Sequence, residues 1–238
     1  SGRPGPVVLA LPEDMLGRQT DAIPRARVER PAQAPCPDAM QAMMALIGDA
    51  AAPLAIIGGA GWNARARAHF QVFAERLGLP VATAFRRQDA ISPSSKVYAG
   101  NLGYGPNPRL VERVKQADLI LAIGARLGEA TTDGYTVPPP TAPDRRLVHV
   151  HPDADELNRV YPADLAICAS MDEFAESAAL WDDGAVVDFD AGAEAHREWE
   201  EWATAHPNGH RLDMGQAVQF MRDTLPADTI ICNGAGNF

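Results

Sequence analysis

Apolar and polar positions along the chain alternate between two periods. Leu54-Ala55-Ile56-Ile57 is a short unbroken apolar run, the signature of a strand buried on both faces, and it meets Gly58-Gly59-Ala60-Gly61, a tight turn. Ala66, Phe70, Phe73 and Leu77 then recur at helical spacing, Gly78 stops the helix, and Leu79-Pro80-Val81-Ala82-Thr83 predicts the next strand. Strand, glycine turn, helix, strand is a βαβ unit and implies a parallel sheet. The same rhythm predicts strands at Leu119–Ile123, Leu147–His151 and Leu165–Cys168. Helices are expected at Met43–Ala50, opened by an Asp38/Gln41 capping box, and at Pro108–Ala117. Others are expected through Leu157 and Val160, at Phe174–Trp181 (capped by Ser170 with Glu173), at Ala193–Thr204 and at Asp213–Leu225. The fold class is α/β: a doubly wound, mainly parallel Rossmann-like sheet of five or six strands with helices on both faces.

Between these elements lie two long turn-rich stretches, Gln88–Pro108 and Glu129–Pro143, of the kind that often carries function. Gln19–Pro37 is proline-punctuated and aperiodic, an extended linker, and an acidic, alanine-rich connector follows Trp181. Trp199 and Trp202, at helical spacing within it, are expected to pack on a surface. Pro6–Leu11 and Thr229–Cys232 read as strands with no neighbour beside them, so both ends are expected to be cut through elements of larger units. The resulting division is 1–18, linker 19–37, a central Rossmann-like domain 38–182, linker 183–210 and 211–238.

Composition narrows the chemistry. With 46% hydrophobic and 22% charged residues, the chain is globular in type. A net charge of −10 with only scattered basic pairs argues against a nucleic-acid or anionic-membrane partner. Cys36, Cys168 and Cys232 have neither zinc-knuckle spacing nor an even count for a disulfide framework, which suits a reducing, cytoplasmic setting. No serine-hydrolase, zincin or P-loop motif is present. Gly59 and Gly61 fit the start of a dinucleotide fingerprint, but Ala64 takes its last glycine position, so phosphate binding and simple turn geometry both remain open. Arg126, at the carboxyl end of a strand, could meet a phosphate or carboxylate, or pair with Asp133 or Glu129. His149 and His151 are read as pointing to opposite faces of their strand, as core histidines or as one that meets a ligand. Asp153, Asp155 and Glu156 are read as offsetting the dipole of the helix that follows.

Taken together the motifs resemble thiamine-diphosphate enzymes of the acetolactate synthase and benzoylformate decarboxylase group. Gly2–Pro12 is similar to the closing strand of their pyrimidine-binding domain. Between Asp38 and Trp181 the I-x-x-G-G-A-G turn, L-P-V-A-T, A-D-L-I-L-A-I-G-A-R and V-H-V-H-P-D-A-D-E-L follow the order of their central domain, and Asp228–Asn237 resembles the opening of their diphosphate-binding domain. The resemblance implies a homo-oligomeric decarboxylase or carboligase acting on a 2-oxo acid through thiamine diphosphate and Mg²⁺. It places Gly234, Ala235, Gly236 and Asn237 at the diphosphate end of that cofactor in the parent enzyme. The catalytic glutamate and the magnesium-binding segment fall outside this sequence, so the chain itself is expected to be catalytically silent, with no catalytic residue and no metal ligand of its own. In some relatives the central domain binds FAD or ADP, and in many it is scaffold alone. Gly59, Gly61, Thr83, Gly103, Arg126 and Asp153 match positions that FAD-binding relatives use. The sequence departs from those relatives at Leu102–Pro108 and at Arg86-Arg87-Gln88, so an empty cleft is favoured over FAD. A self-contained FAD- or nucleotide-binding module is the alternative.

Overall fold

The computed structural model describes residues 5–28, 31–141, 145–181, 190–209, 212–226 and 228–232. The chain forms two compact units, Ser1–Trp199 and Glu200–Phe238.

The first unit is built on six parallel strands: β1 (Pro53–Ile57), β2 (Val81–Thr83), β3 (Tyr98–Asn101), β4 (Leu119–Ile123), β5 (Arg146–His151) and β6 (Leu165–Cys168). They lie in the order β3-β2-β1-β4-β5-β6. The chain winds outward from β1 to β3, returns to β4 at the other side of β1, and winds outward again. β1 and β4, now neighbours, run in register from Pro53 opposite Leu119 to Ile57 opposite Ile123, and all ten side chains of the two strands are buried. Alternation sorts them between two cores. Ala55, Ile57, Leu121 and Ile123 join Phe70, Phe73 and Phe174 under α2 (Pro37–Gly48), α3 (Ala64–Leu77) and α5 (Met171–Leu180). Leu54, Ile56, Ile120 and Ala122 join Leu110 and Val114 of α4 (Pro108–Gln116) on the opposite face.

The helix ends have identifiable causes. The Asn63 side chain accepts a hydrogen bond from the Ala66 amide at the start of α3, and Gly78, at φ 63°, closes it. α2 begins at Pro37 behind a Cys36 N-cap rather than through the Asp38/Gln41 box, because proline at the first position needs no amide partner. Ser170 precedes α5 but does not cap it; its hydroxyl meets the Gln33 backbone, at 3.3 Å from the amide nitrogen and 3.4 Å from the carbonyl oxygen. The helix expected through Leu157 and Val160 is a run of turns, interrupted where Asn158 takes φ 61° and its side chain accepts from the Ala163 amide at 2.8 Å. β3 lies inside the stretch read as the loop Gln88–Pro108, after a 3₁₀ turn at Gln88–Ala90.

α6 (Ala191–Ala203) starts hard against the sheet's outer end. The Gly192 amide donates to the Gly78 carbonyl at 2.9 Å, His196 bonds the Tyr98 carbonyl at 3.0 Å, and the Trp199 ring meets Tyr98 edge-on with centroids 4.9 Å apart. Arg113 of α4 reaches Glu198 at 2.9 Å and Glu194 at 3.3 Å. Trp199 therefore packs as expected, while Trp202 is mostly exposed. In the second unit, α7 (Met214–Thr224) is capped by Asp213, whose carboxylate accepts from the amides of Asn208 and Gln216; none of its side chains is buried.

Pro6–Leu11 and Thr229–Cys232, read as strands with no neighbour beside them, meet no paired strand among the described residues, and a strand requires one. Val7, Val8, Leu9, Ile230 and Ile231 stand exposed, and Glu13–Leu16 forms a single helical turn, α1. Among the described residues no helix is long and apolar enough to cross a membrane.

Candidate functional site

In an open parallel sheet the natural ligand crevice lies beyond the carboxyl ends of the strands, where the winding reverses. Here that point falls between β1 and β4. The six candidate cleft residues all reach this edge. Gly59 and Gly61 follow β1, Thr83 ends β2, Gly103 follows β3, Arg126 follows β4 and Asp153 follows β5. Gly234, Ala235, Gly236 and Asn237 lie outside the described residues.

The geometry at the edge is governed by the protein's own contacts. Gly59 has φ 71°, and a Cβ placed on it would come 1.9 Å from the Gly124 carbonyl oxygen. Gly124 has φ 69°, and its Cβ would come 2.5 Å from the Gly58 carbonyl oxygen. The turns after β1 and β4 thus touch backbone to backbone, and glycine is demanded there whatever else binds. The Trp62 indole donates to the Gly58 carbonyl at 2.7 Å and packs edge-on against Phe70, centroids 5.5 Å apart. Met171, the first residue of α5, lies against Gly61 and Gly124. Gly103 sits under Phe85, whose ring would be 2.6 Å from an added Cβ.

The polar candidates are engaged in the same way. Thr83 is fully buried with its hydroxyl toward the Gly100 carbonyl at 3.5 Å. Arg126 pairs neither with Asp133 nor with Glu129: its Nε lies 3.3 Å from Oε1 of Glu156. Glu156 is buried, with Arg159 as a second, longer partner at 3.9 Å. No helix follows β5, so the dipole explanation of Asp153, Asp155 and Glu156 is replaced by local bonds. The Asp153 carboxylate accepts from the Asp155 amide at 3.2 Å, and Glu156 neutralises Arg126. Gly59 thus packs on the Gly124 backbone, Gly61 on the Met171 side chain and Gly103 on the Phe85 ring, while Arg126 and Asp153 bond to neighbouring groups of the chain. Sequence reasoning missed Trp62, Gly124, Glu156 and Met171 as parts of this edge. The first two were legible as the residues directly behind a glycine turn and a buried strand.

His149 and His151 share one face, as residues two apart on a strand must, with ring centroids 6.0 Å apart; this corrects the opposite-face reading. His149 Nε2 donates to the Ala125 carbonyl at 2.9 Å, and its buried Nδ1 has no hydrogen-bond partner. Burial holds its pKa below the ordinary imidazole value, opposed by the Ala125 bond, with His151 lowering it and Glu156 raising it. Neutral His149 is therefore the folded form. Above the unfolded-state pKa near 6.5 its contribution is fully present, and stability is lost as pH falls through the folded pKa. We expect melting temperature to drop between pH 7 and pH 5, and His149→Gln, which keeps a donor for Ala125, to flatten that slope. An unchanged slope would assign the pH dependence elsewhere. Among the described residues no cluster of three or more His, Cys, Asp or Glu could hold a metal ion.

Against known proteins, residues 40–177, more than half of the chain, match the family described as Thiamine pyrophosphate enzyme, central domain. The chain belongs to this family. It is 28% identical over 255 residues to the acetolactate synthase large subunit of Corynebacterium glutamicum, covering 99% of this chain and 39% of that protein. The acetolactate synthase isozyme 2 large subunit of Escherichia coli is 25% identical over 237 residues, covering 99% of this chain and 42% of its own. Sulfoacetaldehyde acetyltransferase of Rhodobacter capsulatus is 32% identical over 166 residues, with 69% and 28% covered. Among solved structures, benzoylformate decarboxylase from Polynucleobacter necessarius superposes with a TM-score of 0.57 at 21% identity, covering 75% of this chain and 33% of that one, a likeness of fold. The chain thus spans about two fifths of the length of its acetolactate synthase relatives. What it supplies is the central domain of a thiamine pyrophosphate enzyme.

Proposed function

We propose that this central domain serves as scaffold in a thiamine-diphosphate-dependent 2-oxo acid decarboxylase or carboligase of the acetolactate synthase kind. In that setting the cofactor's diphosphate would meet the parent protein near Gly234–Asn237, with Mg²⁺ held by a segment outside this sequence, within a cytoplasmic homo-oligomer. Thiamine diphosphate supplies the carbanion chemistry when bound. The observation that carries the reading is the family match over residues 40–177, embedded in a similarity that runs through 99% of the chain. The contribution of this chain's own residues is positional: two faces of buried apolar side chains, with the glycine turns after β1 and β4 in backbone contact, make a stiff slab.

The chain by itself is silent in this reading. Calorimetric titration with thiamine diphosphate and Mg²⁺ should give no binding heat, and pyruvate or benzoylformate should release no carbon dioxide. Turnover by the isolated chain would overturn the proposal. Addition of FAD should leave the melting temperature unchanged, whereas a ligand binding the folded state at a hundredfold over its Kd would add about 2.7 kcal/mol. Such a rise would restore the nucleotide-module alternative.

A further inference from the structure

Along the same edge, on its Gly103 side, a cavity of about 420 Å³ opens between α4 and the loop that joins β4 to β5. That is the size range of small-molecule sites. Its interior is apolar, with Leu102, Val111, Val137 and the rings of Pro106 and Pro108. At its margin stands Tyr104, 81% exposed, with its ring held edge-on against Phe85 at a centroid distance of 5.2 Å. An aromatic ring this exposed, fixed by a second ring behind it, offers a π surface to whatever enters.

The facing wall is built to hold its shape. Asp133, Gly134 and Tyr135 occupy the left-handed region in succession, at φ 47°, 66° and 66°. L side chains seldom adopt that conformation, and it persists where surroundings impose it. The buried Thr132 is the centre of that restraint. Its hydroxyl donates to the Gly128 carbonyl at 3.0 Å and accepts from the Tyr135 amide at 3.1 Å, while its own carbonyl accepts from the amides of Thr136 and Val137, each at 2.9 Å. The wall is therefore formed before any ligand arrives, which removes an ordering cost from binding.

Charge selects the class of ligand. Glu112 and Asp133 line the cavity against one ammonium group, Lys115, on a chain of net charge −10. We propose that this cavity binds a small organic ammonium ion with a flat apolar body. The body lies among the prolines and Val111, and the cation is held by the Tyr104 ring and the carboxylates of Glu112 and Asp133. Ring faces and carboxylates together are a general recipe for ammonium recognition.

Three indoles of nearly equal size separate the contributions: tryptamine (cationic), tryptophol (neutral) and indole-3-acetate (anionic). Titrated into the ¹⁵N-labelled chain, tryptamine should give saturable shifts at the amides of Leu102, Tyr104, Val111 and Val137. It should bind more tightly than tryptophol, and indole-3-acetate should bind weakest. Tyr104→Ala, at an exposed position, should weaken tryptamine about two- to fivefold. Glu112→Gln together with Asp133→Asn should abolish tryptamine's advantage over tryptophol; asparagine tolerates the left-handed backbone at 133, so the wall is kept. The proposal is overturned if no saturable shift occurs at these amides, if indole-3-acetate binds tightest, or if the double variant retains the preference for the cation.

Discussion

Replacing Gly59 by alanine is expected to destabilise the fold by about 2–5 kcal/mol, and to do so without touching a ligand. Two costs combine. An L side chain in the left-handed region costs roughly 1–2 kcal/mol, and forcing atoms into filled space costs roughly 1–3 more. At Gly59 the atom met is the Gly124 carbonyl oxygen, 1.9 Å from the new Cβ, and that oxygen belongs to the turn of the neighbouring strand rather than to a flexible side chain. The upper half of the range is therefore expected. Gly61, two residues on, provides the internal control. It has φ 91°, but a Cβ there would meet only Met171, at an ordinary 3.6 Å. Gly61→Ala should cost about 1–2 kcal/mol, the backbone contribution alone. Urea denaturation of the two variants checks the difference, and equal midpoints would show that the β1 and β4 turns separate freely.

The second large effect lies beneath that turn. Phe70 is completely buried, packed between Trp62 at 5.5 Å and Phe73 at 6.0 Å between ring centroids. Phe70→Ala removes a ring from a region where the sheet, α3 and α5 meet, and a loss of about 3–5 kcal/mol is expected, since such cavities close only in part. Val72, on the same helix but 55% exposed, should change stability by no more than about 0.5 kcal/mol when replaced by alanine. The loss at Phe70 should also loosen Trp62, visible as a red shift of its fluorescence. A Phe70→Ala variant as stable as the Val72→Ala variant would mean that α3 is not anchored through this ring.

The parallel core was legible because its signals are strong and local. Runs such as Leu119–Ile123, buried along their whole length, can be little else than central strands. β3 escaped because Tyr-Ala-Gly-Asn carries one bulky residue and a glycine at φ 110°, so neither β-propensity nor period marks it. The helix after β5 was read from Leu157 and Val160, but Asn158 between them bonds its side chain to the backbone and breaks the spiral. The candidate edge was legible in outline, since six residues named from the sequence reach the carboxyl ends of the strands. Its internal state was not. Whether Arg126 faces solvent or Glu156 depends on thirty residues of intervening chain, and whether a glycine cradles a ligand or another turn depends on a neighbour brought in by the sheet. The opposite-face reading of His149 and His151 was an error of strand period, which the 6.0 Å ring separation exposes.

The placement of α6 and of the segment before α2 bears on what this domain does in company. An open six-stranded sheet has two rims, each a row of backbone groups able to accept a further strand. At β3 the rim is occupied by α6, with His196 on the Tyr98 carbonyl and Trp199 over the Tyr98 ring. Beyond β6, the Ser170 amide donates to the Gln33 carbonyl at 2.9 Å, tying down the chain that leads into α2. Both contacts come from segments that the sequence marks as connectors. At the β3 rim the connector thus doubles as insulation: α6 occupies the place where a further strand would pair.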